Sequence, residues 1–149
     1  MRHLTKAGLA ATLFALSAAA LAQNASPVGT WQAINEKTGK PKALVRITED
    51  GGVLNGKIEK LYRPADQDQN PKCVKCSDAR KDQPLIGMTI LSGLKKDGDE
   101  YTGGQILDPE DGKTYKSKAT LKDNGSKLEV RGYIGAPMFG RSQTWVREQ

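Results

Sequence analysis

Two cysteines stand three residues apart in Cys73-Val74-Lys75-Cys76, a spacing that supports three kinds of chemistry. A disulfide suits an oxidising compartment and would staple the surrounding loop. A redox-active pair wants its first thiol at a helix N-terminus, where the thiolate is favoured, and no helix is expected nearby. A zinc site needs two further good ligands. The single histidine, His3, lies in the N-terminal segment, which leaves Asp66, Asp68, Asp78 and Asp82 as an unusual partner set. The residues favour the disulfide, with metal and redox roles as alternatives. Asp66-Gln67-Asp68-Gln69-Asn70 opens like a calcium loop, but Pro71 stands where such a loop needs glycine and Ser77 where it needs a bidentate glutamate. The expectation is no metal and no cofactor.

A second constellation pairs the two ends of the chain. Gly29-Thr30-Trp31 opens the first expected strand, and the last reads Arg141-Ser142-Gln143-Thr144-Trp145-Val146-Arg147. In an extended strand Arg141, Gln143, Trp145 and Arg147 share one face. A guanidinium can stack on an indole ring, and it can also hold a carboxylate or phosphate. Arg141, Gln143, Trp145, Arg147 and Trp31 are therefore the candidate ligand-binding residues. The simpler reading of the same five is that they join the first strand to the last.

Catalytic chemistry is poorly provided for. Without His3 there is no histidine for a Ser-His-Asp or Cys-His arrangement. No nucleophile elbow, phosphate-binding loop or dinucleotide fingerprint occurs. Asp108, Glu110 and Asp111 could supply acid–base work, but they sit in a turn, where solvated carboxylates are ordinary. Gly103-Gly104 suits a bulge or a close strand crossing better than a phosphate cradle. No catalytic residue is assigned.

The elements that must position these groups read as all-β. Residues 1–22 combine a basic head (Arg2, Lys6), an apolar run from Ala7 to Leu21 and the exit Ala20-Leu21-Ala22, which together form a cleaved signal peptide. The run is too short to span a bilayer, which takes about 20 apolar residues. A single domain, 23–149, is left. Removing Arg2 and Lys6 lowers the formal charge from +6 to +4, and Lys is interleaved with Asp and Glu throughout. A nucleic-acid face would need clustered cations, so no nucleic acid and no membrane span are expected. The protein should be periplasmic or secreted.

Turn signals punctuate the domain at Asn35–Pro41, Asp50-Gly51-Gly52, Lys96–Asp99, Asp108–Gly112 and Asp123-Asn124-Gly125. Between them lie eight stretches of strand length, at 28–34, 43–49, 53–61, 86–94, 101–107, 114–121, 127–134 and 141–147. Several alternate with period two: Tyr115, Ser117, Ala119 and Leu121; Leu128, Val130, Gly132 and Ile134; Ile86, Met88, Ile90, Ser92 and Leu94. One apolar and one wet face is the pattern of an antiparallel sheet. Eight strands joined by short turns make a meander, which closes into a small barrel and so removes its edges; a β-sandwich is the runner-up. Residues 62–85 break the rhythm as a long polar loop that carries both cysteines, and loops this long are often functional.

Gly29-Thr30-Trp31 with a late-strand arginine resembles the signature of lipocalins and related calycin barrels, although their T-D-Y motif is absent. That resemblance implies a barrel binding small, often apolar ligands. A longer similarity runs through PVGTW (27–31), TGKPKALVRI (38–47), GKIEKLYRPADQDQNPKCVKC (56–76), DQPLIGMTIL (82–91), GGQILDPEDGKTYKSK (103–118) and LEVRGYIGAPMFGRSQTWVR (128–147). These runs resemble the bacterial family called domain of unknown function 2147. The resemblance implies secretion and a β-barrel and brings no catalytic residues. The leading functional expectation is a non-enzymatic binding protein for a small amphipathic or anionic cell-envelope molecule. A structural or protein-interaction module of the envelope comes second, and a carboxylate-based enzyme third.

Overall fold

The computed structural model describes Gly8, Ala10 and residues 25–148. Those two positions aside, the expected leader 1–22 lies outside the described residues. Eight strands follow one another: β1 (Gly29–Ile34), β2 (Pro41–Asp50), β3 (Val53–Leu61), β4 (Thr89–Asp97), β5 (Glu100–Asp108), β6 (Lys113–Lys122), β7 (Lys127–Tyr133) and β8 (Gly140–Arg147). Each pairs antiparallel with the next, and β8 pairs back to β1, so the sheet closes into a barrel in strand order. The meander barrel is present, and the sandwich alternative is excluded by the β1–β8 ladder, in which Trp31 faces Arg147 and Ala33 faces Trp145. A short 3₁₀ turn, Asp123–Gly125, joins β6 to β7.

Alternation accounts for the inside. Trp31, Val45, Ile47, Leu54, Leu91, Leu94, Leu128, Val130 and Trp145 are all buried. The outward positions carry Arg46, Glu59, Lys116 and Glu129, charges that the lipid-facing band of a membrane barrel excludes. Among the described residues no helix is long and apolar enough to cross a membrane.

β4 departs from the expected alternation. The strand begins at Thr89 rather than at residue 86, Ile86 is exposed, and the neighbours Ile90 and Leu91 are both buried. Register shifts against β3 on either side of Gly56 add residues to the β4 side, and Gly93 adopts a φ of 76°. Such bulges bend a strand and change which face a side chain reaches. The Gly103-Gly104 pair likewise falls at a register shift, between β5 and β6.

A meander of this kind puts alternate hairpins at the same end. The tight β2–β3, β4–β5 and β6–β7 turns share one end. The β1–β2, β5–β6 and β7–β8 hairpins and the long β3–β4 connection share the other.

Candidate functional site

The end with the tight turns is plugged. Trp31 is fully buried, and its Nε1–H donates to the Pro27 carbonyl at 2.7 Å. The Arg147 guanidinium lies over the indole, 4.3 Å from the ring centre. Arg147 also donates to three carbonyls, those of Gly125 (2.8 Å), Val28 (2.9 Å) and Ser26 (2.7 Å). Burial pushes its pKa down from the usual arginine value. The three acceptors come from the segment before β1 and from the β6–β7 turn, so Arg147 ties both across the barrel floor.

The other end opens into a cavity of about 1060 Å³. Its floor is apolar: Val45, Ile58, Ile90, Ile106, Val130 and Trp145. The space arises because inward positions near this end carry small residues. Ala33 and Ala43 are cross-strand partners, Ala33 also faces Trp145, and Gly132 faces Arg141. All three small residues line the cavity. Where the deeper layer packs Trp31, Val45 and Leu128, this layer leaves room.

The rim is charged and aromatic. Lys42, Arg63 and Lys72 lie on it, as do Asp108, Glu110, Asp111 and Arg141, with Tyr62, Tyr115, Tyr133 and Phe139 between them. The Tyr115 hydroxyl donates to the Asp111 carboxylate. That bond raises the tyrosine pKa, with burial and the Asp111 charge adding to the effect. Burial opposes ionisation of Asp111, but the Tyr115 hydroxyl, the Lys113 amide and the charges of Lys113 and Arg141 outweigh it and hold its carboxyl below the usual value. Arg141 stands 4.0 Å from Asp108, its side chain 73% exposed.

The long connection, 62–88, supplies one wall of the mouth. Cys73 and Cys76 are joined as a disulfide and both are buried. Backbone bonds link Cys73 to Gln83 and Asp82, and Leu85 to Pro71. Arg80 donates to the Thr89 carbonyl (3.2 Å) and to Thr114 Oγ1 (3.1 Å) while paired with Asp78. That pairing holds the Asp78 carboxyl at about 2, the Arg80 side-chain hydrogen bond being the largest cause. The loop packs so closely on the β5–β6 hairpin that a Cβ at Gly112 would fall 1.9 Å from the Lys75 carbonyl oxygen. With both thiols bonded to each other, neither is left to ligate a metal.

The five sequence-selected residues therefore separate. Arg141, Gln143 and Trp145 line the cavity, with the Trp145 Nε1–H directed at Gln143 Oε1 at 3.4 Å. Trp31 and Arg147 do not line it and belong to the plug at the opposite end. They share a strand face with the other three but lie further along it. Sequence reasoning did not select Lys42, Arg63, Lys72 or Tyr115, and it weighed Asp108 and Asp111 only as acid–base carboxylates of a turn. Hairpin parity was the signal for most of them: once eight strands meander, every second connection must meet at the end where Arg141 begins β8.

The family model described as "Uncharacterized protein conserved in bacteria (DUF2147)" matches residues 29–147. Among curated proteins, none matches the chain. The structure is similar to that of protein HP1028 from Helicobacter pylori, described as belonging to the lipocalin family, with a TM-score of 0.70 and 23% identity over 83% of this chain and 84% of that one. At that identity the likeness shows the fold: a closed, eight-stranded, lipocalin-like barrel. With nearly all of the barrel matched from β1 to the end of β8, the chain belongs to the bacterial DUF2147 family.

Proposed function

We propose that this protein acts outside the cytoplasm as a non-enzymatic binding protein, holding a small amphipathic molecule in the mouth of its barrel. The observation that carries the reading is the cavity itself, about 1060 Å³ with an apolar floor under a charged rim. Small-molecule sites run to roughly 300–1,000 Å³ and combine apolar walls with a few placed polar groups. An apolar tail would lie against Trp145, Val130 and Ile106, with its head among the rim charges. Arg141 and Gln143 stand where β8 enters the mouth and would help orient that head. Trp31 and Arg147 would contribute indirectly, by keeping the barrel closed beneath. The described lipocalin relationship of HP1028 is consistent with this role, and the disulfide suits an oxidising compartment.

The test is a titration with 1-anilinonaphthalene-8-sulfonate, an amphipathic fluorophore. Saturable one-to-one binding is expected. Ala43→Phe, which places a ring in the emptied layer, should weaken binding at least tenfold with the circular dichroism spectrum unchanged. Binding that does not saturate, or that Ala43→Phe leaves untouched, would remove the cavity as the site.

A further inference from the structure

The charges on the mouth are sorted by strand. Lys42 lies near the start of β2, and Arg63 follows the end of β3. Asp108 ends β5, and Asp111 sits in the hairpin to β6. The barrel order puts β4 between these two groups on one side and β7, β8 and β1 between them on the other, so they face each other across the opening. They do not neutralise one another. Among the described residues, the five ion pairs within 4.0 Å include neither Lys42 nor Arg63, and the Asp108–Arg141 pair is at the outer limit of 4.0 Å. Asp68 also lines the cavity on the basic side, but its carboxylate accepts from the Asn70 amide and its carbonyl accepts from Arg63, which ties it into the loop.

The acidic side offers two carboxylates to an ammonium group, which would share them with the neighbouring Arg141 and Lys113 charges. Tyr115 stands beside these carboxylates, bonded to Asp111, and Phe139 lies on the same rim; aromatic faces attract cations. The Tyr115 hydroxyl fixes the orientation of the Asp111 carboxylate. An anion placed at Arg141 would meet Asp108 beside it, so Arg141 is not a free anion clamp. Anion-binding capacity lies across the mouth instead, on Lys42 and Arg63, neither of which joins an ion pair among the described residues.

We infer that the ligand is a zwitterionic amphiphile, its cationic group seated against Asp108 and Asp111 and its anionic group, a phosphate or carboxylate, against Lys42 and Arg63, with the tail on the apolar floor. This rests on the cavity reading above and adds the chemistry of the head group to it.

Four decyl probes that share one tail separate the two readings: decylphosphocholine (zwitterionic), decyl phosphate (anionic), decyltrimethylammonium (cationic) and decyl maltoside (uncharged). Each is titrated below its micellar concentration into the full mature chain by isothermal calorimetry. Decylphosphocholine should bind at least tenfold more tightly than any of the others. Asp108→Asn with Asp111→Asn should lower the affinity ratio of decylphosphocholine to decyl phosphate, and Lys42→Gln with Arg63→Gln should lower its ratio to decyltrimethylammonium. Equal affinities for all four would overturn the head-group inference and leave the cavity reading standing, as would tightest binding of decyl phosphate. Binding of none would overturn both.

Discussion

The guanidinium of Arg147 lies 4.3 Å from the centre of the Trp31 ring, and the two residues are also register partners in the ladder that joins the last strand to the first. One contact thus closes the barrel and plugs its floor. Arg147→Ala removes a stacked cation, worth roughly 0.5–2 kcal/mol, and leaves three carbonyls without their charged donor. The expected loss is about 2–4 kcal/mol in urea unfolding, since hydrogen bonds to charged groups contribute about 1.5–3 kcal/mol. Arg147→Lys should recover little, because an ammonium cannot reproduce the planar fork. Trp31→Ala should cost about 3–5 kcal/mol, the scale for deleting a buried aromatic. Because both residues lie at the end opposite the mouth, Arg147→Lys should leave probe binding nearly unchanged while the unfolding midpoint falls.

The disulfide should matter more to the mouth than to global stability. Cys73 and Cys76 close a loop with a sequence separation of only 3, and so short a loop removes about 2 kcal/mol of denatured-state entropy at most. Thiol titration of the native protein should find no free cysteine, and denaturation in reductant should release both. Reduction should weaken amphiphile binding by more than it lowers the urea midpoint, because Pro71, Lys72 and Val74 on the same loop line the cavity. An affinity untouched by reductant would show that the loop wall is held without the bridge.

Tyr115 and Asp111 should reveal each other on titration. The Asp111 hydrogen bond raises the Tyr115 pKa above its usual value of 10.0. A group whose folded pKa is raised contributes stability that is complete below the unfolded pKa and is lost as pH rises through the folded one. The Tyr115 contribution should therefore fade only above about pH 10. Asp111 has the opposite sign: its folded pKa is lowered from 3.8, so its contribution is present above that value and fades as the solution becomes more acidic. Ultraviolet difference titration should show one tyrosine step moving to lower pH in Asp111→Asn. A titration curve identical to that of the unaltered protein would dissolve the pairing.

Export should remove the leader between Ala22 and Gln23, as Ala20-Leu21-Ala22 proposes. Intact mass of the protein recovered from the periplasm of an expressing cell should match a chain starting at Gln23. A mature form that still carries residues 7–21 would rule out a cleavable leader.

Local rules made most of the fold legible in the sequence. Turn residues such as Asp50-Gly51-Gly52 and Asp123-Asn124-Gly125 mark where the chain reverses, and two-residue alternation in Ser117–Ala119 and Leu128–Val130 marks which face is buried. Both signals lie within a few neighbouring residues and need no knowledge of the rest of the chain. They failed at β4, where register shifts against β3 change which face a side chain reaches, and at Ile134, which lies beyond the end of β7 and is exposed.

Tertiary structure decided the rest. The sequence alone put Trp31, Arg141, Gln143, Trp145 and Arg147 on one strand face or its neighbour, but strand parity carries no coordinate along the barrel axis. Closure between β1 and β8, more than 100 residues apart in the chain, sends Arg147 to the floor and Arg141 to the mouth. The cavity depends on small residues from distant strands, Ala33, Ala43 and Gly132, meeting around one space. No local pattern records that meeting, because an alanine in one strand has the same local signature whether it faces a second alanine or a leucine. The rim charges are hidden for the same reason: Lys42 and Asp108 are ordinary turn-flanking residues until the barrel closes and sets them across one opening.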